Sequence, residues 1–206
     1  MYKGGMTVDL AAIKEKPYYF SNHALKRLIA PMIIEQFLAI LVGMSDSIMV
    51  ATVGEHAVSG VSLVDNIFVL LIYLFAALAT GGAVVMGQYL GQNKHEKANR
   101  AVNQLILFTA LFAICIGLYL ARTLILHRVF GAIEANVMEA SKTYLLIVSA
   151  SIPFIALYNA GAAVFRTMGN SKVPMYLSMM MNAINVGGNA ILIFGFGMGV
   201  AGAATS

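Results

Sequence analysis

The sequence predicts an all-α polytopic membrane protein, a bundle of five complete transmembrane helices followed by the start of a sixth. Three observations carry this. Of 206 residues, 60% are hydrophobic and only 11% charged, whereas a soluble domain carries roughly 25% charged residues. Five stretches, near 28–53, 60–88, 102–126, 141–165 and 174–197, reach the roughly 20 mainly apolar residues that a helix needs to cross the hydrocarbon core. None of them alternates as a strand does, and all exceed the length of a barrel strand, which excludes a membrane β-barrel. The same composition excludes disorder, nucleic-acid binding and a secreted disulfide scaffold. The single cysteine, Cys115, lies inside an apolar run and has no partner in the chain.

The first 27 residues are polar and lysine-bearing. They do not open a signal peptide, because the apolar run that follows far exceeds a 7–15-residue core and lacks a small-residue exit. The runs are divided by short segments with breakers or charge at 52–56, 91–97, 131–134 and 168–172. A sixth apolar run begins at Gly199 and is cut off at Ser206. This ending predicts the N-terminal portion of a longer protein, with a five-helix protein that dimerises as the alternative. Orientation follows from the basic residues. With the N-terminus inside, the inner segments hold Lys3, Lys14, Lys16, Lys26, Arg27, Lys94, Lys97, Arg100, Arg166 and Lys172, and the outer ones only Arg122, Arg128 and Lys142. The bias is positive-inside, so the N-terminal segment is expected to be cytoplasmic.

Charged groups inside spans are costly and mark functional candidates. The spans hold Glu35, Asp46 and Asp65. At about 100° per residue, Glu35 and Asp46 fall within about 20° of each other, so one face of the first helix is acidic at two depths. Pro31 stands a turn before Glu35, and Gly43 a turn before Asp46, which makes both candidate bending points. The fifth span carries Asn182, Asn185 and Asn189 on one face. Asparagines in membranes also serve as interhelical hydrogen-bond groups. Counting down from the outer ends of the spans puts Asp46, Asp65 and Asn189 at similar depth. A carboxylate and an amide at one level suit a cation or proton site. Asp65 as an anchor for the second helix, and Glu35 as a hydrated or Lys26-paired acid, are the structural alternatives.

Residues 197–202 match G-x-G-x-x-G, but no strand precedes them and no acid follows at the right distance, so a tight turn and close helix packing are expected instead. No intramembrane enzyme motif is present: no H-E-x-x-H, no paired catalytic aspartates, no Ser/His arrangement. His23, His56, His95 and His127 are scattered at loops and span ends.

The stretch PMIIEQFLAILVGMSDSIMVATVGEHAVSGVSL (31–63) resembles the first helix and following loop of the multidrug and toxic compound extrusion (MATE) family. So do ATGGAVVMGQYLGQNKHEKA (79–98) and FRTMGNSKVPMYLSMMMNAINVGGNAILIFGFGMGVAGAA (165–204), in order and spacing. The resemblance implies one lobe, residues 28–206, of a two-lobe transporter in the plasma (inner) membrane. It implies an antiporter exporting organic cations in exchange for Na+ or H+, with no cofactor and with a C-terminal lobe as partner. By the same resemblance Asp46, Asn185 and Asn189 form the ion-coupling site, where any Na+ would sit at Asp46. From the residues themselves, Glu35, Gln36, Asp65 and Asn182 are expected in the substrate cavity or a secondary role, and Gly43 at a hinge with Pro31, which also matches a proline at which the family's first helix is proposed to bend. Asn189 stands where some members carry an aspartate, which leaves the coupling ion open. A sixth-helix threonine of that site would fall past Ser206.

Two other functions compete. A lipid-linked sugar or lipid flippase of the same superfamily would carry basic residues within its cavity, and no mid-span position here is basic. A non-transporting structural membrane subunit would need no buried acid.

Overall fold

The structure is a computed structural model and describes residues 22–122, 124–131 and 133–206. Residues 1–21 of the expected cytoplasmic segment, with Lys3, Lys14 and Lys16, lie outside the described residues. The described chain is helical: α1 Asn22–Ala51, α2 Glu55–Gly91, α3 His95–Leu120, α4 Leu124–Phe130, α5 Ala135–Ser149, α6 Ile152–Thr167, α7 Lys172–Asn189 and α8 Gly199–Thr205, with a π-helix, Ala190–Gly195, extending α7. α1, α2, α3 and the α7–π-helix unit are each long and apolar enough to span a bilayer; α5 and α6 are so only when taken together, as a pair bent by 50°. The chain is a multi-pass membrane protein.

The helix at the centre is α2. Its buried residues recur at helical intervals of one or two turns, through Ala57, Val61, Val64, Phe68, Phe75, Ala79, Ala83 and Met86, one stripe down its whole length. α3, α5 and α6 pack on that stripe, and Ala113, Leu120, Leu145, Ile152 and Ala156 join Val64, Phe68 and Phe75 in one core. Apolar burial alone does not drive helix association in lipid, so small residues that admit close approach matter more. Gly60 is one: a Cβ there would lie 2.8 Å from Ala140 Cβ and 3.0 Å from the Ser141 nitrogen. Ser141 completes the seam by donating to the Gly60 carbonyl at 3.1 Å.

The breaks have local causes. Pro153, in the first turn of α6, lacks an N–H and its ring would clash with the carbonyl four residues back, at Ser149. The helix stops there; the Ser149 hydroxyl donates to the Leu146 carbonyl, and the Ser151 hydroxyl joins its own N–H on the Val148 carbonyl. The turns after α2 and α6 share one geometry. Asn93 and Gly169 take φ of 57° and 80°, and the next residue's N–H reaches back five positions, from Lys94 to Tyr89 and from Asn170 to Phe165. Both are helix stops of the Schellman kind, which call for a left-handed residue. The 102–126 run is two elements, because the chain turns after Leu120. Leu126 is apolar because it is fully buried in the core, not because it spans.

Helix α1 stands apart. Within it only Pro31 and Val50 are buried, and Ile33, Phe37, Ile40, Met44 and Ile48 point outward. It runs unbroken through Pro31 and lies chiefly along α7. Together α1 and α7 form a pair that meets the α2–α3–α5–α6 group along a narrow seam, with α8 bridging α5 to this pair.

Candidate ion and substrate site

A cavity of about 160 Å³ opens in that seam. α1 lines it with Gly43, Asp46, Ser47 and Val50, α2 with Val58, Val61, Ser62 and Asp65, α5 with Tyr144, α7 with Asn185 and Asn189, and α8 with Ala203. Among the described residues no Lys, Arg or His lines it. Asp46 is its best-furnished group. Asn189 Nδ2 donates to Asp46 Oδ1 at 2.7 Å. Asn185, in the amide orientation that sets donor against acceptor, donates to Oδ1 at 2.9 Å and to Oδ2 at 3.2 Å. The Ser206 hydroxyl donates to Asn189 Oδ1 at 2.5 Å, which holds that amide with its nitrogen toward the acid. On the opposite wall Asp65 accepts one bond, from Tyr144 Oη at 3.3 Å.

The backbone around these groups is shaped for them. Asn185 and Asn189 are four apart on α7 and therefore share a face. Directly after Asn189 the helix widens into the π-helix Ala190–Gly195, a rare form concentrated at functional sites. Gly197 and Gly199 then turn the chain with φ of 64° and 56°, and α8 returns against the π-helix, Gly202 lying 3.1 Å from the Leu192 backbone when a Cβ is placed on it. That return brings Ser206 to Asn189. At Gly43, one turn before Asp46, a Cβ would meet nothing within 4 Å.

A second polar centre lies toward the other end of α1. Arg166 Nη2 donates to Glu35 Oε1 at 2.7 Å and Oε2 at 2.8 Å. Tyr158 Oη donates to Oε1 at 2.8 Å and lies 3.3 Å from the Pro174 carbonyl. Glu35 thus ties α1 to α6 one turn from the buried Pro31, and Tyr158 extends the contact to the start of α7. Of the candidates read from the sequence, Asp46, Asn185, Asn189 and Asp65 share the cavity. Glu35 belongs to the second centre, Gln36 is exposed, and the Asn182 amide nitrogen is buried without a hydrogen-bond partner. Lys26 is not at Glu35; Arg166 is. Tyr144, Ser206, Tyr158 and Arg166 were not among those candidates. Among the described residues no group of three or more His, Cys, Asp or Glu side chains is placed to hold a metal ion.

The MatE family model matches residues 31–191, which includes both polar centres of α1 and the asparagines of α7. The chain belongs to the MatE family. An uncharacterised transporter of Bacillus subtilis, YisQ, is 31% identical over 85% of this chain and 40% of its own length. The multidrug export protein MepA of Staphylococcus saprophyticus is 27% identical over 92% of this chain and 43% of its own. Among solved structures, an outward-facing multidrug resistance MATE family transporter of the MOP superfamily superposes with a TM-score of 0.82 at 25% identity, covering 88% of this chain and 40% of that one. This MatE chain therefore spans about two-fifths of the length of the relatives it matches.

Proposed function

We propose that this MatE chain is the ion-coupling lobe of an antiporter that exports organic cations in exchange for Na+ or H+. The observation that carries the proposal is Asp46, a carboxylate on a membrane-spanning helix held by two amides in a cavity that no basic side chain of the described residues lines. A positive charge or a proton is what such a cavity accommodates. The absence of basic side chains from the lining favours cations over the phosphate-bearing cargo of a flippase. Binding of the coupling ion in one state, and of the organic cation in the other, would drive exchange through their differential affinities. A second lobe would complete the translocation path, consistent with the share of the relatives that the chain spans.

Efflux of ethidium from preloaded cells tests this. In an efflux-deficient host carrying this lobe with its second lobe, ethidium loss should stop when the Na+ gradient, the proton gradient or both are collapsed by ionophores. Undiminished loss with both gradients collapsed would sink the antiport reading.

We further propose that the chain lies in the plasma membrane with its N-terminus cytoplasmic, on the distribution of its basic residues. In a Cys115→Ala background, a cysteine at Glu55 should react with an impermeant thiol reagent in intact cells at least fivefold faster than one at Lys94. The reverse order would invert the topology.

A further inference from the structure

The two carboxylates of the cavity are furnished differently, and the difference divides their roles. Amide donors from Asn185 and Asn189 reach Asp46 on both oxygens at 2.7–3.2 Å. A carboxylate so fixed, beside the small and polar Ser47, suits a small ion or a proton. Asp65 has Tyr144 Oη at 3.3 Å, longer than an ordinary O–H···O bond, and no other hydrogen-bond partner among the described residues. Its side of the cavity adds the Tyr144 ring, the one aromatic group among the described lining residues, to Val58, Val61 and the polar Ser62. A carboxylate beside an aromatic ring and methyl groups matches an alkylated ammonium, which is both charged and greasy. With no cationic side chain of the described residues in the lining, one positive charge would leave the second carboxylate uncompensated.

We infer that Asp65, with Tyr144, recognises the cationic head of the exported molecule, while Asp46 serves the coupling ion. The cargo class this selects is a lipophilic quaternary or tertiary ammonium. The cavity, about 160 Å³, takes the head group and not a whole drug. This inference rests on the antiport reading and adds to it that ion and cargo use separate carboxylates.

The test is equilibrium binding of radiolabelled benzyltrimethylammonium to the purified chain in lipid nanodiscs, without Na+ and at one pH, with its uncharged carbon isostere neopentylbenzene as competitor. The wild type should bind the cation and be displaced poorly by the isostere. Asp65→Asn should raise the Kd at least tenfold, and Asp46→Asn by less than a third of that factor. Ser62→Lys places an ammonium one turn from Asp65 in the same cavity and should lower affinity as strongly as Asp65→Asn. It provides the readout if Asp65→Asn loses its monodisperse elution. Asp65→Glu should bind within about threefold of wild type. A wild type that does not prefer the cation over the isostere overturns this inference, while efflux that stops on collapse of the gradients would leave the antiport reading standing. Cation binding unchanged in Asp65→Asn or Ser62→Lys, or lost more in Asp46→Asn than in Asp65→Asn, overturns this inference alone.

Discussion

Asp46→Asn is expected to abolish ion-driven efflux while leaving the protein in the membrane at wild-type amount. Asparagine is nearly isosteric and keeps one acceptor oxygen, so the contact with Asn189, 2.7 Å in the native protein, has a close substitute. What is lost is the charge. A ligand moves a conformational equilibrium only by its difference in affinity for the two states, and a hundredfold shift requires about 2.7 kcal/mol. A neutral amide offers neither a proton site nor a charge for Na+, so that difference disappears. In the two-lobe transporter, ethidium efflux under an imposed gradient should fall at least tenfold, with the membrane-fraction immunoblot unchanged. Efflux at the wild-type rate would make Asp46 a packing residue and remove the basis of the coupling mechanism.

The second large effect concerns stability. Glu35→Ala leaves the Arg166 guanidinium without its carboxylate, and Arg166→Ala does the converse. The side chains are 13% and 32% exposed, so both are largely removed from solvent. Removing one partner of a buried pair costs roughly 3–5 kcal/mol, and partial exposure puts this pair near 3 kcal/mol or below. Each single substitution should therefore lower the melting temperature in detergent micelles by several degrees. The double substitution should be less harmful than the sum of the singles by at least about 1 kcal/mol, since no charge is then stranded. Strict additivity would show that the pair contributes nothing as a pair. Tyr158→Phe, which removes only the hydroxyl donated to Glu35 at 2.8 Å, should cost about 1 kcal/mol.

Much of the fold is legible in the sequence because lipid imposes a length and a composition on each span. The cavity is partly legible for the same reason: helix rise converts sequence distance to membrane depth, which sets Asp46, Asp65 and Asn189 at one level before any helix is placed. Depth does not give azimuth. Asn182 shares a face with Asn185 and Asn189, yet its amide is buried outside the cavity lining. Tyr144 carries no signal of its own, since an amphipathic tyrosine near a span end is ordinary. Arg166 counts with the inner loop by position, but it is in the last turn of α6, and its long stem carries the guanidinium to Glu35. The apolar run near 102–126 hides its turn because Ile125 and Leu126 are as apolar as lipid-facing residues while packing in the core. Hydropathy cannot separate the two.

The pairing of α1 with distant helices also orders events during synthesis. The partner of Asp46 lies 143 residues downstream and that of Glu35 131 residues downstream. At roughly 5–20 residues per second, a ribosome takes on the order of ten seconds to supply either one. Through that interval α1 resides in the membrane with two unpartnered acids, each an insertion penalty of up to about 3 kcal/mol. Its isoleucines, leucines and phenylalanines offset this by about 0.3–0.6 kcal/mol apiece. The helix is made, and by hydropathy can insert, well before the groups on α6 and α7 that its acids require.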